Sequence, residues 1–468
     1  MGKLNDITFI KTNGGMGRTA ASEDPITGLV MYLPDMEDTD LVNGTSMRHF
    51  DEIEAADGTN SLYVAKLRCK EELNDYGLKE TELKTKMDDY TGTSDSDKLD
   101  AFRKVAAINA LVYHATRFFD MNEAGTLYLA VKVASESHIT GADLKALQNY
   151  TNGAIRQCGV FTPGFEETTS GGNTTISSTM EALIGEYQTA CAGDDSLEED
   201  HKPMSVVMTV SGKSVEVSKG SEDSDPSITV TPTDVTSHTL AYFAGTDNHK
   251  AAGRCNVSLL IGCDLDSGLV QKLGQYGYYG CIGTCMGAIS KAAVNECIAW
   301  VQKFPLGLTA PGLISGELIK NVTTAHQNAI NSNRYMFVRT HVGIADNYFN
   351  DSHTLDVETS DYAYIENVRT IDKACRGVRT NLLPYLNSPL NIDPTTGQLD
   401  RNTVAYLETV AGKALEEMEK AGELSGYVAE IDPAQNVLNT GVLKVIIKNV
   451  PTGVMRQVQV QIGFVTSL

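Results

Sequence analysis

The chain has 468 residues and a formal net charge of -22, and 41% of its residues are hydrophobic while 21% are charged. This balance is typical of a soluble globular protein, and the acidic excess argues against direct nucleic-acid binding, because phosphate contacts require clustered Lys and Arg. No apolar run approaches the roughly 18 residues of a membrane span, and no charged-then-apolar leader opens the chain. We therefore expect neither membrane insertion nor a signal peptide.

The first part of the chain alternates between predicted strands and helices. The predicted strands span about 27–33, 127–133 and 155–161, and the predicted helices about 99–119 and 141–151. This alternation favours an α/β (mixed α+β) fold with a mixed sheet, and we assign residues 23–161 to its first part.

The composition changes between residues 162 and 253, where Gly, Ser, Thr and Asp dominate. The pattern predicts one helix at about 176–192 and short strands at 205–210, 214–217 and 227–230, with an acidic loop at 221–225. We interpret 162–253 as an inserted, β-rich outer lobe. The alternative is a long loop region with little regular structure.

Residues 254–432 return to longer apolar patterns and form the predicted C-terminal half of the core. The predicted strands span 256–264 and 334–342, and the predicted helices about 286–304, 316–332, 362–383 and 403–421. Gly422 stands where a C-terminal helix cap is expected.

The helix predicted from Tyr362 to just before Pro384 carries two distinct faces. Its apolar stripe is formed by Ile365, Val368, Ile371, Cys375, Val378 and Leu382. Its basic face is formed by Arg369, Lys373, Arg376 and Arg379, at positions i, i+4, i+7 and i+10. This basic face is either solvated or a contact surface for an acidic partner.

The two ends of the chain are basic, whereas the chain as a whole is acidic. Residues 1–22 and 433–468 carry net charges of +2 and +3. The first is an N-terminal arm with a short strand containing Ile7 and Phe9. The second is a C-terminal β arm that alternates apolar and polar residues around a Val-Pro-Thr-Gly turn; its apolar positions include Val445, Ile447, Val458, Val460, Ile462 and Phe464.

These terminal strands have two readings. A terminal hairpin can fold onto its own domain, or an unpaired strand can be given to a neighbouring copy of the chain. In the second reading, the basic ends dock on acidic bodies of neighbours in an assembled polymer.

Motifs for catalysis or metal binding are weak. The best candidate catalytic cluster is His341, Asp346, Asp351 and His353, but no nucleophile motif accompanies it, and a structural loop is the favoured reading. Cys281 and Cys285, with Cys297 nearby, could be half a metal site, but no second pair stands at ligand spacing. We expect packing thiols, no metal and no cofactor. The odd number of cysteines, nine, favours free thiols in a reducing cytoplasm.

Five pieces follow one another between residues 334 and 468: RYMFVRTHVGIADNYFNDSHT, DYAYIENVRTIDKACRGVRTNLLPYL, PTTGQLD, MEKAGELSG and GVLKVIIKNVPTGVMRQVQVQIGF. In these pieces and their order, the chain resembles contractile phage tail sheath proteins. Upstream, SEDPITGLVMYLP and GCIGTCMGAISKAAVNECIAWVQKF are similar to the same family.

The resemblance implies a non-enzymatic structural subunit of a phage tail or phage-tail-like particle, assembled in the bacterial cytoplasm. Such subunits polymerise as stacked rings, which we expect to be six-fold, around an inner tube protein, and they join baseplate and tail terminator proteins. Terminal arms exchange strands between copies, and contraction drives the tube through a target envelope. We expect Arg369, Lys373, Arg376 and Arg379 to face that tube.

Two other classes of protein remain as alternatives. One is a cytosolic α/β enzyme of hydrolase or thiol type that uses the His341–His353 region. The other is a different particle component, such as a tube or capsid protein, although a tube protein would be smaller and mainly β.

Overall fold

The computed structural model describes residues 23–42, 48–54, 61–133, 138–170, 173–221, 226–245 and 253–464. The predicted N-terminal arm, with Ile7 and Phe9, lies outside these residues, as do 222–225 of the predicted acidic loop. The strands are β1 (Ile26–Tyr32), β2 (Asp51–Glu54), β3 (Ser61–Leu67), β4 (Thr126–Lys132), β5 (Gln157–Thr162), β6 (Phe165–Ser170), β7 (Asn173–Ser178), β8 (Ser205–Val210), β9 (Lys213–Lys219), β10 (Ile228–Asp234), β11 (Val257–Leu260), β12 (Gly262–Asp264), β13 (Pro311–Leu313), β14 (Val338–Thr340), β15 (Asn347–Phe349), β16 (Leu424–Glu430) and β17 (Ile446–Pro451).

The helices of the described residues range from single turns to a 27-residue helix. They are α1 (Asp38–Leu41), α2 (Glu72–Asp75), α3 (Asp95–Met121), α4 (Gly141–Tyr150), α5 (Met180–Cys191), α6 (Leu240–Phe243), α7 (Ser267–Leu273), α8 (Ile282–Lys291), α9 (Thr324–Ser332), α10 (Ile365–Leu382), α11 (Arg401–Lys420) and α12 (Val437–Thr440). None of them is both long enough and apolar enough to cross a membrane.

A seven-stranded mixed sheet forms the centre of the molecule, in the order β11-β8-β5-β1-β4-β3-β2. The five strands from β11 to β4 are parallel, and β3 and β2 add antiparallel pairs at one edge. The parallel strands are apolar along nearly their whole length because helices cover both faces of the sheet. The predicted mixed α/β fold is therefore confirmed.

Helices α3 and α8 cover one face of the sheet, and α4 and α5 cover the other, so each face has its own apolar cluster. Helices α3 and α8 approach closely at two glycines. A Cβ at Gly283 would overlap the carbonyl oxygen of His114, and a Cβ at Gly287 would lie 2.6 Å from that of Phe118. These glycines allow the two backbones to pack in direct contact.

The prediction that residues 162–253 form one lobe outside the core is wrong for β8 and α5. Strand β8 is buried along its whole length between β5 and β11 in the central sheet, and Leu183 and Tyr187 of α5 lie in the adjacent apolar cluster. The polar composition of this region comes instead from the two hairpins, β6-β7 and β9-β10, which form separate two-stranded sheets.

The long helix predicted at about 286–304 is also shorter in the structure. Helix α8 ends at Lys291, and turns follow through Phe304. The carboxylate of Glu296 accepts a hydrogen bond from the amide of Ala293 and pairs with Lys303, which gives the backbone after α8 partners outside a helix.

The C-terminal unit, which we define as residues 365–464, contains α10, α11, α12, β16 and β17. Helices α10 and α11 pack together where Gly377 faces Ala414, and Ala374, Leu415, Met418 and Leu424 form a small apolar cluster beside that crossing. Gly422 ends the segment with a φ of +76°, as expected of a helix cap. A second small cluster lies around Leu407.

The terminal hairpin predicted between 442–447 and 454–464 is not formed. Strand β17 pairs instead with β16, in an antiparallel register that places Ile447 opposite Ala429. The reason is packing, because Ile447 then contacts the cluster between α10 and α11. Residues 452–464 follow β17 and form no strand.

Candidate assembly surface

Exposed apolar side chains are concentrated in the C-terminal unit. Of the 20 large apolar side chains that are exposed among the described residues, 13 lie between Leu383 and Phe464. Monomeric proteins rarely expose apolar surface in one region to this extent, and such patches mark interaction sites. This surface is therefore the strongest candidate for a functional site in the described chain.

Four of these exposed side chains stand at alternate positions in residues 457–464, the part of the predicted C-terminal β arm that we call the C-terminal arm from here on. Val458, Val460, Ile462 and Phe464 are 63%, 71%, 93% and 109% exposed, with glutamines or glycine between them. This is the alternation of a strand with one apolar face, but no strand of the described chain pairs with it. The arm thus carries both an unpaired backbone and an uncovered apolar face.

The sheet formed by β16 and β17 is also incomplete. It has two strands, and the outward side chains of Val428, Ile446 and Val450 are exposed. A two-stranded sheet is only marginally stable, and its free edges are templates for another strand. Val445 and Ile447 were predicted as part of the same arm, but both are half-buried in the small apolar clusters of the C-terminal unit.

Arg456 fixes the point where the arm leaves the body. Its Nε lies 3.0 Å from Asp351 Oδ2, its Nη2 donates to Glu366, and its guanidinium stacks 3.4 Å from the centre of the Tyr364 ring. Glu366 is only 3% exposed, and burial raises the pKa of its carboxyl, an effect that Arg456 partly offsets. Burial acts to lower the pKa of Arg456, but Asp351 and Glu366 outweigh it and raise that pKa.

Much of the basic face of α10 is engaged within the chain. Arg369 is buried, so the prediction that it contacts a tube is wrong, whereas Lys373 and Arg376 are half-buried and their tube contact stays a prediction. Arg369 is 5% exposed and donates to the carbonyl oxygens of Ala292 and Ala293. Burial lowers the pKa of Arg369 to about 10. The guanidinium of Arg369 therefore binds the backbone that follows α8 and does not face solvent.

Lys373 and Arg376 are half-buried and pair with acidic side chains of the same chain. Lys373 Nζ lies 2.7 Å from Asp24 Oδ2 and 2.6 Å from Glu423 Oε1, and Arg376 lies 3.5 Å from Asp24. Only Arg379 of the basic face is exposed. The face therefore joins α10 to the segment that precedes β1.

The candidate catalytic residues have separate structural roles. His353 is buried, its Nε2 lies 3.1 Å from Asn331 Oδ1, and burial lowers the pKa of its imidazole to about 4. Asp351 pairs with Arg456, and Asp346 accepts hydrogen bonds from the amides of Gly307 and Asn347. His341 packs on Tyr348 instead.

The cysteines of the possible half-site are packing thiols. Cys281, Cys285 and Cys297 are buried, and burial raises the pKa of each thiol, to about 12 for Cys281 and Cys297. In the part of the chain that the structure describes, no three His, Cys, Asp or Glu side chains are grouped to hold a metal ion.

Sequence reasoning missed the Arg456 site. One signal was available, because Arg456 is the single charged residue between Lys448 and the last residue given. Its partners, Asp351 and Glu366, lie 105 and 90 residues away in the chain. Asp351 was singled out only as a candidate catalytic residue, and no local pattern pairs either acid with Arg456.

Comparisons with known proteins agree with the resemblance seen in the sequence. Residues 238–353 match a family model described as the N-terminal domain of DUF2586, and residues 361–468 match its C-terminal domain; together these ranges cover just under half of the chain. A protein of Haemophilus phage HP1, provisionally described as a tail sheath protein, is 30% identical over 147 residues. That match covers 31% of this chain, which spans 38% of the relative.

The fold has a counterpart among solved structures. A chain in the six-fold symmetrised baseplate of the anti-feeding prophage matches with 12% identity and a TM-score of 0.50, over 99% of both chains. A chain of the contracted PVC sheath complex, from an extracellular contractile injection system, has 12% identity and a TM-score of 0.48, over 99% of this chain and 98% of that one. The match to the anti-feeding prophage chain shows a shared fold, and the match to the phage HP1 protein confirms the resemblance to tail sheath proteins.

Proposed function

We propose that the chain is a structural subunit of a contractile tail sheath. The observation that supports this function best is the C-terminal arm, an alternating strand whose apolar face and backbone both lack a partner within the described chain. A strand of this kind is completed when another copy of the chain supplies a sheet edge. The resemblance to sheath proteins indicates the same class of assembly.

In this proposal, strands from the chain ends join neighbouring copies. The donated residues are Val458, Val460, Ile462 and Phe464 of the arm, with Ile7 and Phe9 of the N-terminal segment as a second donor. The open edges of β16 and β17, which include Ile447 and flank Val445, are the acceptor. Main-chain pairing gives connectivity without a specific chemical site, so the bodies can rotate while the strands stay paired.

The polymer would surround an inner tube and contract to drive it through a target envelope. Rings of six copies, a baseplate and a tail terminator complete the assembly, and the role is not enzymatic. Of the proposed tube contacts, Arg379 keeps an exposed side chain. The free energy stored per subunit can be small, because many copies change state together.

A chain that ends at Arg456 tests this function. It keeps the Arg456 contacts but lacks the arm. We expect it to remain folded and monomeric under conditions in which the original chain forms cylinders, as seen by negative-stain microscopy. A second variant keeps the length of the chain but carries Ser at 458, 460, 462 and 464, which removes the apolar face of the arm. We expect it to form no cylinders either. Normal cylinders from either variant would contradict strand exchange.

A further inference from the structure

Helix α10 contacts the chain close to both of its terminal segments. Near its start, Glu366 and the preceding Tyr364 hold Arg456, immediately before the C-terminal arm. Two turns later, Lys373 and Arg376 hold Asp24, close to the start of β1. Glu366 and Lys373 are seven residues apart, which is about 10 Å along the helix axis.

The Arg456 contacts form a built pocket rather than a surface ion pair. Two guanidinium groups contact the Tyr364 ring. That of Arg456 lies 3.4 Å from the ring centre, and that of Arg334 lies 4.9 Å from it. Glu366 is buried and also accepts a hydrogen bond from Ser352. A buried charge pair is costly to break, because the carboxylate that remains has no partner.

The contacts of Asp24 are of the same kind. Lys373 is shared between Asp24 and Glu423, and the side chains of these two carboxylates are mostly buried. Arg156 lies beside them and pairs with Glu23. The residues that precede β1 are therefore held by charges from both the central sheet and α10.

We propose that α10 is a common anchor that sets the positions from which both terminal segments leave the body. Arg456, Lys373 and Arg376 are positioning residues in this proposal, which rests on the proposed function because it assigns the anchor to arm exchange. A force on either arm reaches the body through the same rigid helix. Lys373 and Arg376 of the basic face then hold the chain just before β1.

Trypsin tests the C-terminal anchor directly, because it cuts after Arg456. Asp351→Asn and Glu366→Gln leave Arg456 in place but remove a charge that holds it. We expect cleavage after Arg456 to become roughly tenfold faster in each variant, since cleavage follows the opened fraction of the site. Cleavage after the exposed Lys444 is the internal reference, and Asp361→Asn, an exposed acid near the start of α10, is the matched control.

Cylinder formation tests what the anchor is for. Asp351→Asn, Glu366→Gln and Lys373→Gln should each raise the protein concentration needed for cylinders severalfold, while the far-ultraviolet circular dichroism spectrum stays unchanged. Lys420→Gln, which loses only an exposed pair with Glu416 on α11, should behave like the original chain.

Unchanged cleavage after Arg456 in both acid variants would overturn the anchor. Faster cleavage with unchanged assembly would overturn its role in holding the arms. If the original chain forms no cylinders under any condition, the proposed function fails. The trypsin test still decides whether the anchor exists, because it compares cleavage after Arg456 in the original chain and in the two acid variants.

Discussion

The body and the C-terminal unit bury apolar surface in very different ways. The body has a seven-stranded sheet with a large apolar cluster on each face, so its strands are covered within one chain. The C-terminal unit has two helices, a two-stranded sheet and two small clusters, and it carries 13 of the 20 exposed large apolar side chains. The first region covers its own apolar surface, whereas the second leaves apolar surface uncovered within the described chain, and in our proposal neighbouring copies cover it.

This difference predicts that the two regions respond differently to substitution. A substitution in the body should lower the free energy of unfolding, because its interior is closely packed. A change in the arm should cost assembly while stability stays the same. Four substitutions, ordered by their expected effect on the free energy of unfolding, test that division.

Gly283→Ala should have the largest effect on stability. Its methyl group would overlap the carbonyl oxygen of His114, so α3 and α8 must separate, at a cost of about 3 kcal/mol or more. Urea unfolding measures the change. Gly463→Ala, on the arm, meets no atom within 4 Å and is the matched control. An unaltered midpoint for Gly283→Ala would show that the two helices do not pack as described.

Leu415→Ala should weaken the C-terminal unit by about 2 to 4 kcal/mol, because Leu415 is fully buried between α10 and α11. Hydrogen exchange should accelerate in α10, α11 and β16, while the amides of β1, β4 and β5 keep their protection. Leu438→Ala removes an exposed leucine and is the control. Equal loss of protection in the central sheet would mean that the two regions unfold as one unit.

Asp372→Asn should show how much a buried carboxylate on α10 lowers the free energy of unfolding. Burial, with Glu198 adding to it and Arg376 opposing it, raises the pKa of Asp372 from 3.8 to about 7. The folded state therefore binds the proton more tightly, and the stability from this group is present below pH 4 and lost as the pH rises through 7.

The Asp372→Asn chain should consequently be more stable than the original at pH 8, by roughly 1 to 3 kcal/mol, and similar to it at pH 4. Thermal unfolding at both pH values measures this, with the exposed Asp361→Asn as the control. A gain at pH 4 that equals the gain at pH 8 would exclude a raised pKa as the cause.

Ile462→Asp should have the smallest effect on stability and a large one on assembly. The side chain is 93% exposed, so unfolding should change by less than about 0.5 kcal/mol. Cylinders should be lost, because a carboxylate would enter the apolar face of the exchanged strand. Gln461→Asp places the same charge on the opposite face and should be tolerated. Equal loss of cylinders in both variants would show that a partner does not distinguish the apolar face of the arm from its polar face.

Several elements could be predicted because the information for them is local. Strand β8 and helix α4 lie almost where the apolar periodicity places them, and the helix predicted at about 403–421 is α11. The alternation of the arm is likewise a property of consecutive residues and could be predicted, but the hairpin predicted with it is not formed, because β17 pairs with β16.

The features that could not be predicted from the sequence depend on contacts between residues that are far apart in the chain. Helical spacing places Arg369, Lys373 and Arg376 on one face of α10, but it cannot say whether that face meets water, a partner or the chain itself. The answer comes from Asp24, which is 349 residues from Lys373, and from the backbone after α8. The partners of Arg456 and the place of β8 in the sheet were decided in the same way, by tertiary packing that brings separate segments together.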